Sequence, residues 1–380
     1  MVADLTGAAA RFAPDACPRL VVKIGSALLV DPSGEVRRPW MAGVVADIAD
    51  RIAAGQRVAV VSSGAIALGA RRLGLPKGGR ASLEDAQAAA ATGQIALSHC
   101  WAELLGERGL TAAQMLVTLD DLEDRRRYLN ASATLDRLMA LGVVPVINEN
   151  DSVATEEIRF GDNDRLAARI GQAAAARGVI LLSDIDGLYT ANPHRHADAE
   201  LVAEVTRIDA RIRAMADGGS ASGMGSGGMI SKLEAARIAM SAGAHLAIIS
   251  GKVERPLAAF AAGGRGTVFV AERGASARKA WLAGRLTARG SIHVDAGAAE
   301  ALGNGRSLLP AGAVSVEGRF ERGDVVDIIG PDSAPVARGL AEYDATDAAR
   351  IVGRRSDALE ALLGYAPRAA LVHRTHMVLL

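Results

Sequence analysis

Short unbroken apolar runs recur along the chain up to about residue 275. Each is closed by glycine or polar residues and followed by a helical pattern. The runs are RLVVKIGSALL (19–29), RVAVVSSGAIALGA (57–70), GVVPVINEND (142–151), GVILLSDIDGLYT (178–190) and AHLAIISG (244–251). Continuous β-branched runs of this kind mark strands covered on both faces. Ala/Leu-rich stretches at 82–108 and 129–141 lie between them and read as helices. The alternation predicts an α/β fold, with right-handed βαβ crossovers, a mainly parallel sheet and helices on both sides. Ligands of such sheets sit beyond the carboxyl ends of the strands, and that is where the polar clusters of this chain fall.

Near residue 275 the pattern changes. ERGASARKAWLAGRLTARG is a basic, polar connector. After it come short strand-like pieces rich in glycine: GSIHVDAGA, AVSVEGRFERGDVVDIIG and PVARGLAEY. Their strand-and-turn spacing predicts a small β-rich domain. The expected organisation is a short N-terminal extension (1–17), an α/β domain (18–275), a linker (276–287) and the β-rich domain (288–370).

Composition narrows the picture. With 380 residues, half of them apolar, the chain is long enough for more than one sizeable core. The 43 basic and 43 acidic side chains cancel, which removes any whole-surface attraction to nucleic acid or anionic membrane. No apolar stretch is long enough for a membrane span. The N-terminus lacks a basic start before an apolar run, so it reads as an extension and not a signal peptide. Cys17 and Cys100 show neither pairing nor metal-ligand spacing and read as free thiols of a cytoplasmic protein.

Several residues could carry chemistry. Lys23 ends an apolar run; taken alone, a strand-end lysine is usually a snorkelling surface residue, whereas a bound anion would give it a function. Ser63 and Gly64 follow the second run, and alone they read as an ordinary strand–helix turn. The segment SGMGSGGMISKLEAARIAM (222–240) is the strongest local signal. Its glycines leave backbone amides accessible, and Lys232 stands in the first turn of the helix that follows. A lysine there opposes the helix dipole unless an anion is present, so the segment reads as a polyphosphate cradle in preference to a bare linker. A Walker A loop is missing, as is a GxGxxG fingerprint after the first strand, which disfavours P-loop and dehydrogenase readings. In INENDSVATEEIRFGDND (147–164), Asn148, Asn150, Asp151, Asn163 and Asp164 could bind an amine and hydroxyls, or position lysines and a metal; a polar surface loop is the plainer reading.

Together these segments resemble the glutamate 5-kinase family of the amino-acid kinase superfamily, over about residues 18–270. The resemblance rests on VVKIGSALL, VVSSGAIALGARRLG, QMLVTLDDLEDRRRYLNA, VVPVINENDSVATEEIRFGDNDRLAA, LLSDIDGLYTANP and SGMGSGGMISKLEAA. The tail, GRSLLPAGAVSVEGRFERGDVV and GRRSDALEALLGY, resembles a PUA domain. The resemblance implies an αβα sandwich and ATP-dependent phosphorylation of the L-glutamate side-chain carboxylate, with Mg²⁺, as the first step of proline biosynthesis. It implies Lys23 and Lys232 as the catalytic lysines; Asp164 is expected to complete the catalytic group by orienting both through charge-assisted hydrogen bonds. It implies Ser63, Asp151 and Asn163 around glutamate. Around ATP it implies Lys23, Ser183, Asp184 and the segment Ser226, Gly227, Gly228, Met229, Ile230, Ser231 and Lys232. Apart from the resemblance, Asp162 in the same GDND stretch is expected to assist the metal indirectly. Two departures stand out: Ser183 where threonine is usual, and Ile230 where a small polar residue is usual.

The resemblance further implies feedback inhibition by proline, a homodimer or homotetramer, and hand-over of product to glutamyl-phosphate reductase. Three other readings compete. The chain could be a superfamily kinase for aspartate, carbamate or a nucleotide. It could be an RNA-binding protein acting through the tail, against which stand the zero net charge and the scarcity of aromatic platforms. It could be an inactive sensor, against which stand the intact lysines.

Overall fold

The computed structural model describes residues 5–31, 33–153, 162–193, 195–216, 228–272 and 288–380. Among these, the residues up to Glu123 and from Ala131 to Glu272 form one unit; Asp124–Asn130 and the residues from 288 onward form the other.

The first unit runs α1 (Leu5–Ala10), β1 (Arg19–Ile24), α2 (Ser26–Leu29), α3 (Arg38–Ala53), β2 (Arg57–Ser62), α4 (Ala65–Leu73), α5 (Leu83–Gly106), β3 (Ala112–Val117) and α6 (Leu119–Glu123). It continues with α7 (Arg125–Ala140), of which the part from Ala131 belongs here, then β4 (Val144–Glu149), α8 (Asp162–Ala173), β5 (Gly178–Ser183), β6 (Glu204–Val205), α9 (Ala210–Ala216), α10 (Met229–Ser241), β7 (His245–Ser250), α11 (Pro256–Ala261) and β8 (Gly266–Phe269). Its sheet has the order β3-β4-β2-β1-β5-β7-β8-β6. Pairing is parallel from β3 to β7, as the strand–helix alternation predicts, and β8 reverses against β7.

The unbroken apolar runs have the expected cause. Leu20 to Ile24 of β1 and all of β5 are buried. Leu20, Val22, Ile24, Val60, Ile180, Leu182 and Ile249 join one core with Trp101 and Phe260. Full burial of each such side chain is worth roughly 1.5–3 kcal/mol, so the strands beneath the site are held rigidly.

The N-terminal segment departs from expectation. The first seventeen residues read as an extension, yet Phe12 and Cys17 are fully buried in this core. Phe12 meets Phe260 edge-on, with ring centroids 5.9 Å apart. Gln56 and Arg51 donate to the Phe12 carbonyl, which keeps that buried backbone satisfied. Cys17 and Cys100 are free thiols, both buried.

Helices α4 and α5 cross almost backbone to backbone. A Cβ on Gly69 would stand 1.7 Å from the Ala89 carbonyl oxygen, and one on Gly93 would stand 1.8 Å from that of Ala65. Only glycine permits that approach, and it pins the middle of α5 against the start of α4.

The second unit holds β9 (Gly290–Val294), α12 (Ala296–Gly303), β10 (Ala313–Gly318), β11 (Val325–Ile329), β12 (Pro335–Ala341), α13 (Ala345–Ile351), α14 (Leu359–Leu363) and β13 (Val372–Leu379). Its five-stranded sheet has the order β10-β9-β11-β12-β13 around a core that includes Ile292, Val326, Ile328, Tyr343 and Val372. The last strand lies beyond residue 370, where the sequence placed the end of this domain. Among the described residues no helix is long and apolar enough to cross a membrane.

Candidate active site

Because β1 lies between β2 and β5, and β4 flanks β2, four strands present their carboxyl ends side by side. Lys23 is the penultimate residue of β1. It is buried, not a snorkelling surface residue, and its Nζ lies 2.6 Å from Asp164 Oδ1. Lys232, in the first turn of α10, is also buried and donates from Nζ to Asp164 Oδ2 at 2.8 Å. Asp164, in the first turn of α8, is wholly buried between them. The dipole of α8 favours an anion there, and that same carboxylate offsets the unfavourable place of Lys232 on α10.

Electrostatics follow from this packing. Burial pushes the Asp164 carboxyl up, but Lys23 and Lys232 outweigh it and hold the group below the usual carboxylate range. Burial lowers the Lys23 ammonium; Asp164 opposes that shift and nearby Lys232 adds to it.

A second polar group lies beside the first. Ser63 follows β2, and Gly64 takes φ +106° to open α4, a conformation that side chains rarely adopt. Asn163 Nδ2 donates to Ser63 Oγ at 2.7 Å. Asn163 Oδ1 is buried and has no hydrogen-bond partner among the described residues. Asp151, just after β4, is partly buried; burial raises its carboxyl to about 6, with Arg80 pulling the other way.

On the other side of β1, Ser183 ends β5 and is buried. Its hydroxyl donates to the exposed Asp184 at 3.1 Å. Gly228 opens α10, with its carbonyl accepting from Ser231 N at 3.0 Å. Met229 and Ser231 lie in the same first turn, and Ile230 points outward, 57% exposed. Ser226, Gly227 and the side chain of Asp162 lie outside the described residues.

Sequence reasoning missed Gln94, on α5, which binds Asn148 at the end of β4. It also missed Trp101, which donates to buried Ser62 at 3.0 Å beneath the site. Neither contact has a local signal, because the partners are 54 and 39 residues apart.

Among the described residues no group of three or more His, Cys, Asp or Glu stands together for a metal. Asp164, the most central carboxylate, is engaged by two lysines. This donor set suits a hard cation carried mainly on substrate phosphates, the usual habit of Mg²⁺, and not one held in an all-protein cage.

Residues 18–250 match the amino acid kinase family and residues 290–363 match the PUA domain. A glutamate 5-kinase of Sphingopyxis alaskensis is 73% identical, the match covering 97% of this chain and 99% of that one. A glutamate 5-kinase of Zymomonas mobilis is 64% identical, covering 97% and 93%. Among solved structures, a carbamate kinase from Giardia lamblia bound to AMP-PNP superposes with a TM-score of 0.50 at 14% identity, over 67% of this chain and 99% of that one, a likeness of fold. The strand order, the lysines meeting on Asp164 at the strand ends and these whole-length identities converge: the chain belongs to the amino acid kinase family, among its glutamate 5-kinases, and carries a PUA domain.

Proposed function

We propose that the site transfers the γ-phosphoryl group of ATP to the side-chain carboxylate of L-glutamate, giving L-glutamyl 5-phosphate and ADP, the first step of proline biosynthesis in the cytoplasm. The observation that carries the reading is the pair of buried lysines converging on Asp164. A carboxylate nucleophile with a reference pKa of about 4.3 is ionised at neutral pH, so no general base is required. The obstacle is that an anion must approach a polyanion. One carboxylate oxygen forms the new bond to the γ-phosphorus as the bond to the β–γ bridging oxygen breaks, and ADP leaves with that electron pair. Catalysis of such transfers comes mainly from positioning and charge neutralisation.

In this reading Lys23 and Lys232 reach the transferring group from β1 and α10, and Asp164 keeps both aimed by charge-assisted hydrogen bonds. Ser63, Asp151 and Asn163 hold glutamate. Ser183, Asp184 and the segment 226–232 hold the nucleotide. Mg²⁺ would arrive on the phosphates, assisted by Asp162, and would supply further charge neutralisation. Proline would act as feedback inhibitor by competing for the glutamate position. A homo-oligomer and delivery of the labile acyl phosphate to a reductase complete the reading.

The test is a hydroxylamine trap with ATP, Mg²⁺ and L-glutamate, with L-aspartate in parallel and proline added to a third arm. Glutamate-dependent hydroxamate suppressed by proline is the expected result. Product with aspartate alone would move the acceptor assignment to another member of the family, and product insensitive to proline would remove the inhibitor assignment only.

A further inference from the structure

A line of side-chain amides runs from α5 into the glutamate end of the site. Gln94 is 9% exposed and Asn148 is 2% exposed. Gln94 Nε2 donates to Ser98 Oγ at 3.2 Å, and Gln94 Oε1 accepts from Asn148 Nδ2 at 2.7 Å. Asn148 Oδ1 accepts from the backbone N–H of Glu149 at 2.9 Å and from Asn163 Nδ2 at 3.4 Å. Asn163 Nδ2 also donates to Ser63 Oγ. Its Oδ1 is the buried oxygen left without a partner among the described residues.

One member of this line has no choice of direction. A backbone N–H can only donate, so Glu149 fixes the oxygen of Asn148 on its own side and turns the Asn148 NH₂ toward α5. Whatever meets that NH₂ must accept. The carbonyl of Gln94 does so, held at its other end by Ser98. With Asn148 fixed, Asn163 faces an acceptor and presents its own NH₂ to it, which leaves its oxygen for the ligand. A buried acceptor left empty is costly, and a donor on the ligand recovers that cost.

We propose that Gln94 is a positioning residue for substrate recognition: by accepting from the Asn148 NH₂ it holds Asn148 in the direction that Glu149 dictates, and Asn148 in turn directs the Asn163 amide so that its oxygen is offered to the α-ammonium of the amino-acid substrate. The proposal rests on the glutamate-kinase reading above. The close crossing of α4 and α5 serves the same end, because Gly93, the neighbour of Gln94, packs against the carbonyl of Ala65 just beyond Ser63 and Gly64. Gln94 touches neither substrate nor nucleotide residues itself; it acts through Asn148.

The chemistry separates two substitutions at one position. Gln94→Met keeps the volume and removes the acceptor. Gln94→Glu keeps an acceptor oxygen toward Asn148, and the Ser98 hydroxyl can turn to donate. Steady-state kinetics of the full chain, with both substrates varied, reads the difference. Gln94→Met is expected to raise the glutamate KM about tenfold, with the ATP KM unchanged. Gln94→Glu is expected to return the glutamate KM to within about threefold of wild type, which loss of packing alone would not allow. If Gln94→Met does not fold, Gln94→Asn, one methylene too short to reach Asn148, is expected to give the same rise. An unchanged glutamate KM in these variants, an equal rise for Met and Glu, or a parallel rise in the ATP KM would overturn the proposal while leaving the reaction standing. Wild-type protein that does not turn over glutamate would overturn both.

Discussion

Two amines share one carboxylate at the centre of the site, and their distances of 2.6 and 2.8 Å leave neither lysine free to wander. In the proposed reaction, replacing either with alanine would remove charge where the transition state gathers it. Lys23→Ala and Lys232→Ala should each lower kcat by about 10²–10³-fold, as loss of one preorganised stabilising group commonly does. Far-ultraviolet circular dichroism should show both variants folded. Asp151 is different, because burial raises a carboxyl that the proposed glutamate site would need ionised. In the free enzyme kcat/KM for glutamate should fall as pH drops below about 6, and Asp151→Asn should raise the glutamate KM and flatten that limb. An acid with a raised folded pKa costs stability above its unfolded pKa. Asp151→Asn should therefore raise the melting temperature of the unliganded enzyme at pH 8, with the gain vanishing below about pH 4. At this scale, legibility followed sequence distance. Asn163 and Asp164 announced themselves because amide and acid side chains crowd the single stretch INENDSVATEEIRFGDND. Gln94 did not, because a glutamine in mid-helix looks like surface until β4 is seen to pass beside it.

Elements were legible where burial wrote itself into the sequence. The apolar runs at 19–29, 57–70, 142–151, 178–190 and 244–251 contain β1, β2, β4, β5 and β7. The helical stretches 82–108 and 129–141 correspond to α5 and most of α7. Strands without a fully apolar face escaped: β3 has only Val117 buried, and β13 mixes histidine and arginine among its apolar residues. The reversal of β8 against β7 left no trace either, since a run of four residues carries no direction. Nor did composition show why α4 and α5 approach so closely. That contact depends on two glycines 24 residues apart, each facing a carbonyl of the other helix. Gly93→Ala must push the helices apart, at a cost of about 3 kcal/mol or more for an overpacked contact against backbone. Chemical denaturation should show the loss. Because the displaced helix carries Gln94, the glutamate KM should rise in the same variant.

Acid links the two units of the molecule by a common chemistry. Asp164 in one is held low by its lysines. In the other, burial pushes Glu342 up, yet His376, Arg368 and Arg322, at 3.4–3.7 Å, bring it below its usual range. A carboxyl with a depressed folded pKa contributes stability that is complete above its unfolded value and is lost as pH falls through the folded one. Calorimetry of the full chain should show stability declining below about pH 4.5, the reference range of a carboxyl. Glu342→Gln should give a lower melting temperature at pH 7 and a shallower decline in acid. The central trio has a further consequence. Two buried amines meet on one carboxylate while burial already works against the Lys23 ammonium, so a multivalent anion in the proposed nucleotide position would favour the charged form of both. Multivalent anions, inorganic pyrophosphate included, should then raise the melting temperature, by about 2.7 kcal/mol of stability at a hundredfold excess over Kd. Lys23→Met should abolish most of that gain. The cell's phosphate pool would in that way become part of what keeps this chain folded.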